Sequence, residues 1–298
     1  MTRILTAGVA VIDFVFAVEE MPRRAEKYRA GDAWITGGGN AGNAAVAASR
    51  LGADAALAAR LGDDPVADMI VAGLEADGVD CRLVRRFPGR KSSFSSVFID
   101  PAGERQIVNY RDMEISFGAD WLETVDLGHF DAALSDTRWP QCGAVLLKAA
   151  RERGVPGVLD AEAPIDLARE ALRQASHIAF SAQGLRDYSG SADLSAGLRK
   201  ARADTGAWVC VTDGANGVIW LHGDVERVLP AFPVDAIETL GAGDVWHAAF
   251  TLKLAQRRDE AQAIRFASAA AAIKCSRKGG RAGYPTLADV EAFLAAAP

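Results

Sequence analysis

Half of the 298 residues are hydrophobic but only 7% are aromatic, which calls for a core of small aliphatic side chains, as a helix-flanked parallel sheet requires, and gives no sign of disorder. With 33 basic and 39 acidic residues, a net charge of −6 and a pI near 5.3, the chain is not one whose main partner is nucleic acid or an anionic membrane. Four scattered cysteines, Cys81, Cys142, Cys210 and Cys275, form no zinc spacing and fit a reduced cytoplasmic setting, and no stretch of about 18 apolar residues offers a membrane span.

In chain order, the apolar run over residues 3 to 12 predicts a first buried strand that delivers Asp13 to its carboxyl end, where ligands gather in open α/β sheets. The segment YRAGDAWIT (28 to 36) is extended. NAAVAASR, ending at Arg50, has helical composition, and LGADAALAARLGDD predicts a strand and a loop, completing one βαβ step. FSSVFID and RQIVNY, joined by PAGE, predict a hairpin from Phe94 to Tyr110. With the 28 to 36 segment it would make a small separate sheet, read as a lid whose segments cover about 14 to 36 and 92 to 112, the alternative being a plain edge of the main sheet.

Strands resume at AALSD (132 to 136), GVLD (157 to 160), HIAFS (177 to 181), WVCVTDG (208 to 214) and VIWLHG (218 to 223). Helix-like segments separate them, as in CGAVLLKAARERG, and this alternation predicts a parallel sheet. Two helices follow, at about 243 to 256 and 260 to 275. Neither repeats nor a linker interrupt the chain, so one domain over 1 to 298 is expected.

Chemistry is concentrated in two glycine segments. In Glu238-Thr239-Leu240-Gly241-Ala242-Gly243-Asp244, small residues let backbone N–H groups approach an anion at the start of a helix. Asp244 there is placed to take a proton from an attacking alcohol while those donors stabilise a transferring phosphoryl group. In Gly37-Gly38-Gly39-Asn40-Ala41-Gly42-Asn43, a second glycine cluster precedes a helix and offers close backbone approach to a sugar. Taken singly, each reads equally well as an ordinary turn with a helix cap. No G-x-G-x-x-G links the first strand to a helix, which argues against a dinucleotide enzyme. His177, His222 and His247 lack metal-ligand spacing, and Trp34, Trp139 and Trp246 read as packing residues.

GGGNAGNAAVAASRLGADAALAARLGDD resembles the first signature of the ribokinase (PfkB) family of carbohydrate kinases, and TLGAGDVWHAAF resembles the second, about 200 residues later in the family's order. The resemblance runs from the first strand to GGRAGYP. It implies a ribokinase-like α/β fold, a three-layer α/β/α doubly wound sheet with a small β-lid that often joins two subunits into a homodimer. It also implies ATP and Mg2+ as cofactors, Asp244 as catalytic base, and Gly241, Ala242 and Gly243 as anion hole. Asp13, Gly38, Gly39 and Asn43 would contact sugar, and Thr212, Gly214 and Gly217 in VTDGANG would lie along ATP. Ala271, Lys274 and Cys275 would approach the adenine.

Two departures stand out. Ser181-Ala182-Gln183-Gly184 occupies the place of an N-x-x-E element that organises magnesium in many members, so the metal ligands are unknown. Glu238 replaces the usual Asp before T-x-G-A-G-D, and Arg277 and Lys278 follow where many members bind a monovalent cation, so potassium activation is not implied.

Lys27, Asn109 and Arg138 form a polar set suited to an anionic sugar, although each taken singly reads as a solvated surface residue. With K-S-S at 91 to 93 and RFASAAAAIKCSRKGGRAGYP, they resemble the sulfofructose kinase branch, which implies phosphorylation of 6-deoxy-6-sulfofructose at its 1-hydroxyl. The Asn-rich first signature, with Asn40 and Asn43, also occurs in ketohexokinase-like and fructosamine-kinase-like relatives, which keeps other ketoses open. A non-catalytic sensor of sugar or nucleotide is the other class.

Overall fold

The computed structural model describes residues 1–297. Among the described residues there are thirteen strands: β1 (Arg3–Gly8), β2 (Val11–Ala17), β3 (Asp32–Gly38), β4 (Asp54–Gly62), β5 (Val79–Phe87), β6 (Phe94–Ile99), β7 (Arg105–Tyr110), β8 (Ala132–Asp136), β9 (Gly157–Ala161), β10 (His177–Ser181), β11 (Trp208–Thr212), β12 (Val218–His222) and β13 (Val225–Leu229). Nine of them form one sheet in the order β13-β12-β11-β10-β9-β8-β1-β4-β5, and β3-β2-β6-β7 form a second, smaller sheet.

Strand alternation builds the layers. Leu5 and Ala7 of β1 enter one core with Ala56 and Ala58 of β4, while Ile4 enters the opposite core with Ala55, Leu57, Ala59 and Leu61. Helices Asn40–Arg50, Ala242–Ala255 and Glu260–Cys275 cover that second face, and Pro140–Glu152 and Leu194–Thr205 cover the first. Each fully buried Leu contributes about 1.5–3 kcal/mol relative to leaving it in water. The result is a ribokinase-like α/β fold, a large sheet flanked by helices. The sheet is mixed, because the parallel series ends at β11 and β12 and β13 return antiparallel as a meander.

The first strand is shorter than its apolar run. β1 stops at Gly8, whose φ of 150° and absent side chain make room for Asp136; a Cβ there would sit 2.1 Å from Asp136 Oδ2. Asp136 instead accepts the Val9 N–H at 2.8 Å, and the chain crosses into β2. Asp13 therefore lies inside the small sheet and not at the end of β1, a correction to the sequence reading. The hairpin at β6 and β7 forms as expected, and β2 pairs parallel to β6. Among the described residues, no helix is long and apolar enough to cross a membrane.

Candidate active site

Four neighbouring strands carry a polar residue at or next to their last position, at the carboxyl edge of the large sheet: Asp136 on β8, Asp160 on β9, Ser181 on β10 and Thr212 on β11. Two helices that start beside this edge have glycine as N-cap, which offers no side-chain cap, and in the first the Ala41 N–H donates to Asp136 Oδ2 at 3.2 Å. Gly39 precedes Asn40–Arg50 at φ 85° and Gly241 precedes Ala242–Ala255 at φ 77°, both in the left-handed region that glycine tolerates. The Pro65–Ala76 and Glu260–Cys275 helices, by contrast, are conventionally capped by Asp64 and Asp259. The uncapped start at Gly241 leaves backbone N–H groups and the positive end of the helix facing a pocket.

That pocket has a volume of about 450 Å³. Gly241, Gly243 and Asp244 line it together with Asp13, Gly37, Gly38, Gly39 and Asn43, so the structure brings both glycine segments to one cavity. Asn43 donates to Asp244 Oδ2 at 2.7 Å, and its carbonyl oxygen accepts from Arg281 Nε at 2.9 Å. Arg281, 7% exposed, also donates to Gly38 O at 3.2 Å. Gly37 leaves space for this guanidinium, since a Cβ there would meet Arg281 Nη1 at 2.0 Å.

Burial raises the Asp244 carboxyl to about 7, reinforced by the nearby charge of Asp160 and opposed by the Asn43 hydrogen bond. Burial also raises Asp13, opposed by Ser95 and the Arg281 charge. His247, one turn beyond Asp244, donates from Nδ1 to Gly243 O at 2.8 Å, and burial lowers its pKa, favouring the neutral ring. Its Nε2 faces Ala179 O at 3.3 Å and Asp160 Oδ1 at 3.4 Å.

Asn40 of the first glycine segment lines the cavity, and so do residues that went unnoticed in the sequence: Thr36, Arg105, Glu162, Arg281 and Tyr284. Asn40 donates to Asp160 Oδ2 at 3.3 Å and to Glu162 Oε2 at 3.1 Å. Asp160 and Glu162 could have been suspected by the same logic applied to Asp13, a carboxylate where a buried strand ends. Arg281 had no local signal beyond its glycine-rich setting.

The expected anion-binding set separates. Lys27 is exposed and does not line the pocket. Arg138 is turned onto the β9 end, donating to Ala163 O at 2.9 Å and to Glu162 at 3.2 Å. Asn109 sits in register with Ser95, Asp13 and Thr36 across the small sheet, at its outer strand. Arg105, four residues earlier on the same face of β7, is the basic residue that reaches the cavity wall from that sheet.

Thr212, Gly214 and Gly217 follow β11 along the carboxyl edge. Gly217, at φ 92°, packs so closely that a Cβ would lie 2.1 Å from Leu229 O. Ala271 and Cys275 are half-buried on the Glu260–Cys275 helix, whereas Lys274 is fully buried with its ammonium against Glu238.

For magnesium, Ser181 Oγ is used as a helix cap, accepting from Gly184 N at 3.0 Å. Asp160 Oδ1 is a buried carboxylate oxygen with no hydrogen-bond partner, and burial with Glu162 and Asp136 nearby pushes its pKa far up. A cation would relieve both conditions. Among the described residues no three His, Cys, Asp or Glu are grouped to hold a metal by themselves. Mg2+ keeps its waters and binds through one or two carboxylates and phosphate oxygens, a demand that Asp160 and Glu162 could meet.

Comparison with known proteins is consistent over nearly the whole chain. The sequence model of the pfkB family carbohydrate kinases matches residues 1–287. Ribokinase of Bacillus subtilis is 27% identical over 299 residues, covering 99% of this chain and 100% of that protein. A fructokinase of Vibrio alginolyticus is 24% identical, covering 86% and 91%. A crystal structure from Agrobacterium tumefaciens, assigned as a ribokinase, superposes with a TM-score of 0.89 at 32% identity, covering 99% and 98%. Arabidopsis thaliana ribokinase, solved with ribose and ATP, superposes at 0.84 with 23% identity over 99% of both chains, a likeness of fold.

Proposed function

This chain belongs to the pfkB family of carbohydrate kinases, and from that premise we propose that it transfers the γ-phosphoryl group of ATP to a hydroxyl of an anionic ketose, 6-deoxy-6-sulfofructose at its 1-hydroxyl. The observation that carries the kinase chemistry is Asp244, a carboxylate raised to about 7 on the first turn of an uncapped helix beside Gly241, Ala242 and Gly243.

A base with a pKa near the working pH removes a hydroxyl proton most effectively. Asp244 accepts that proton, Asn43 fixes the direction of its carboxylate, and the N–H groups at 241 to 243 stabilise charge on the phosphoryl oxygens. Asp13, Gly38 and Gly39 orient the sugar from the opposite wall. Thr212, Gly214 and Gly217 lie along ATP, with Ala271 and Cys275 toward its base. Asp160 and Glu162 would hold Mg2+ through its waters, and the ion would supply charge neutralisation between the phosphates. The small sheet acts as a lid excluding water. Its exposed apolar residues, Ile35 at 53% and Val108 at 63%, support a homodimer joined through the lids.

Arg105 supports the anionic class: it lines the cavity from β7, and its guanidinium has no hydrogen-bond or ion-pair partner among the described residues. A sulfonate would form charge-assisted hydrogen bonds with it. The second reading is a neutral pentose or ketose, favoured by the relatives' names, ribokinase and fructokinase.

Steady-state kinetics with ATP·Mg2+ and 6-deoxy-6-sulfofructose, fructose, ribose, fructose 6-phosphate and fructoselysine decide between them. A kcat/KM for the sulfonate about a hundredfold above the neutral sugars, roughly 2.7 kcal/mol, supports the anionic reading. Equal or better turnover of ribose or fructose removes it and leaves the kinase; no ADP release with any sugar removes the kinase reading itself.

A further inference from the structure

The penultimate residue of the Glu260–Cys275 helix is a lysine with no exposed surface. Lysine is almost never fully buried unless paired. Three oxygens surround the Lys274 ammonium: Glu238 Oε1 at 2.8 Å, Arg277 O at 3.3 Å and Glu238 O at 3.4 Å. The three ammonium protons therefore have one acceptor each.

Glu238 is also held from elsewhere. Its carboxylate accepts the N–H groups of Gly279 at 3.2 Å and Gly280 at 3.0 Å, and its own N–H donates to Cys275 O at 3.1 Å. These contacts press the chain just before the anion hole against the helix end and against the turn at Gly280–Gly283. That turn delivers Arg281 to Asn43, and Asn43 holds Asp244. On the other side, Gly241 lies so near Tyr284 that a Cβ would be 2.5 Å from its hydroxyl. The loop has no slack, and the charge that secures its beginning is Lys274.

We propose that Lys274 is a positioning residue that serves as a tethered cation for the anion-hole loop, occupying a cage of carboxylate and carbonyl oxygens that a soluble monovalent cation would otherwise be needed to fill. Without the ammonium, the Glu238 carboxylate and two carbonyl oxygens face one another with no counter-charge, and the loop relaxes away from the geometry that the uncapped helix start requires. Phosphoryl transfer in the native protein accordingly needs no potassium or ammonium in solution. The proposal concerns the phosphoryl-transfer step and stands with whichever sugar the kinetic panel selects.

The test compares wild type, Lys274→Ala and Lys274→Met at matched ionic strength, in tetramethylammonium chloride with and without potassium, ammonium or methylammonium. Wild-type kcat is expected to hold within about twofold across these salts, since matched screening leaves only specific cation effects. Lys274→Ala is expected to lose about a hundredfold in kcat, the size of a small misplacement of reacting groups, with little change in sugar KM. It should recover most of that loss with ammonium or methylammonium, whereas Lys274→Met, its cage filled by an apolar chain, stays low in every salt. Strong potassium dependence of the wild type overturns the proposal, as does a folded Lys274→Ala that keeps its kcat or ignores every cation. Should Lys274→Ala not fold, folded Lys274→Met with near-wild-type kcat overturns it equally.

Discussion

The Asn43 amide donates to Asp244 Oδ2 at 2.7 Å across 201 residues of sequence, and this bond joins the two glycine segments into one site. Arg281 Nε, 2.9 Å from the Asn43 carbonyl oxygen, fixes which end of the amide faces the carboxylate. With Asp244 as the proposed base, Asp244→Asn keeps the shape and removes the proton acceptor. Its kcat should fall by about 10³-fold, within the range typical for loss of a general base. Calorimetric ATP affinity should stay close to wild type; a variant retaining most of its kcat would remove Asp244 from the chemistry.

The raised pKa gives that base a pH signature. Asp244 works only when ionised, so kcat/KM should drop about tenfold per pH unit below its pKa, with the acid limb of the free enzyme near about 7. The Asn43 hydrogen bond stabilises the charged form and holds the value down. Asn43→Ala should therefore move the acid limb to higher pH as well as lower the plateau. A pH–rate profile of both proteins checks the direction, and a downward move would contradict the assigned hydrogen bond.

Many of the strands were readable along the chain because buried strands such as AALSD and HIAFS are short apolar runs between turn residues. The reading failed where tertiary contacts decide. Nothing in RILTAGVAVI marks the break at Gly8 except the glycine, because the cause is Asp136 on β8, 128 residues away in sequence. No helix or strand was assigned to residues 65 to 91, which hold a helix and β5; β5 interleaves Arg and Asp with apolar residues and reads poorly without its partner β4. In the site, glycines were legible because their backbone role is local. Arg281 and Arg105 were not, since an ionic residue shows its partners only after folding. Lys274 was assigned to adenine by resemblance, while its 0% exposure and its ion pair to Glu238, 36 residues earlier, give it another role.

Gly37 offers a separate test of the Arg281 arrangement. Gly37→Ala places a methyl group where Arg281 Nη1 lies, 2.0 Å away, and the flexible side chain is the part that must move. The guanidinium then loses Gly38 O and Asn43 as acceptors. About 1.5–3 kcal/mol is expected for hydrogen bonds from a charged donor, and thermal or urea unfolding should show a loss of that order. The kcat should fall with it, because Asn43 is no longer held. An unchanged Tm and kcat would show that the guanidinium has an equally good alternative position.

Arg105 provides the sharpest discrimination within the anionic-sugar proposal, because the three cations that bear on it sit in different places. Arg105 lines the cavity, Arg138 is engaged with Ala163 O and Glu162, and Lys27 is exposed away from it. If a sulfonate is held by Arg105, Arg105→Gln removes a charge-assisted contact worth about 1.5–3 kcal/mol, or roughly 10- to 100-fold in kcat/KM for the sulfonate. Turnover of a neutral ketose should change little, since an uncharged sugar gains nothing from that charge. Lys27→Ala should leave both substrates unaffected while the lid keeps this placement. Arg138→Gln should lower kcat for both, because it frees Glu162 at the carboxyl edge. Should Arg105→Gln lower both substrates equally, the residue supports the lid and reads no charge; should Lys27→Ala alone abolish the sulfonate preference, the lid closes further on the substrate than the free protein shows, and the anion site moves to its tip.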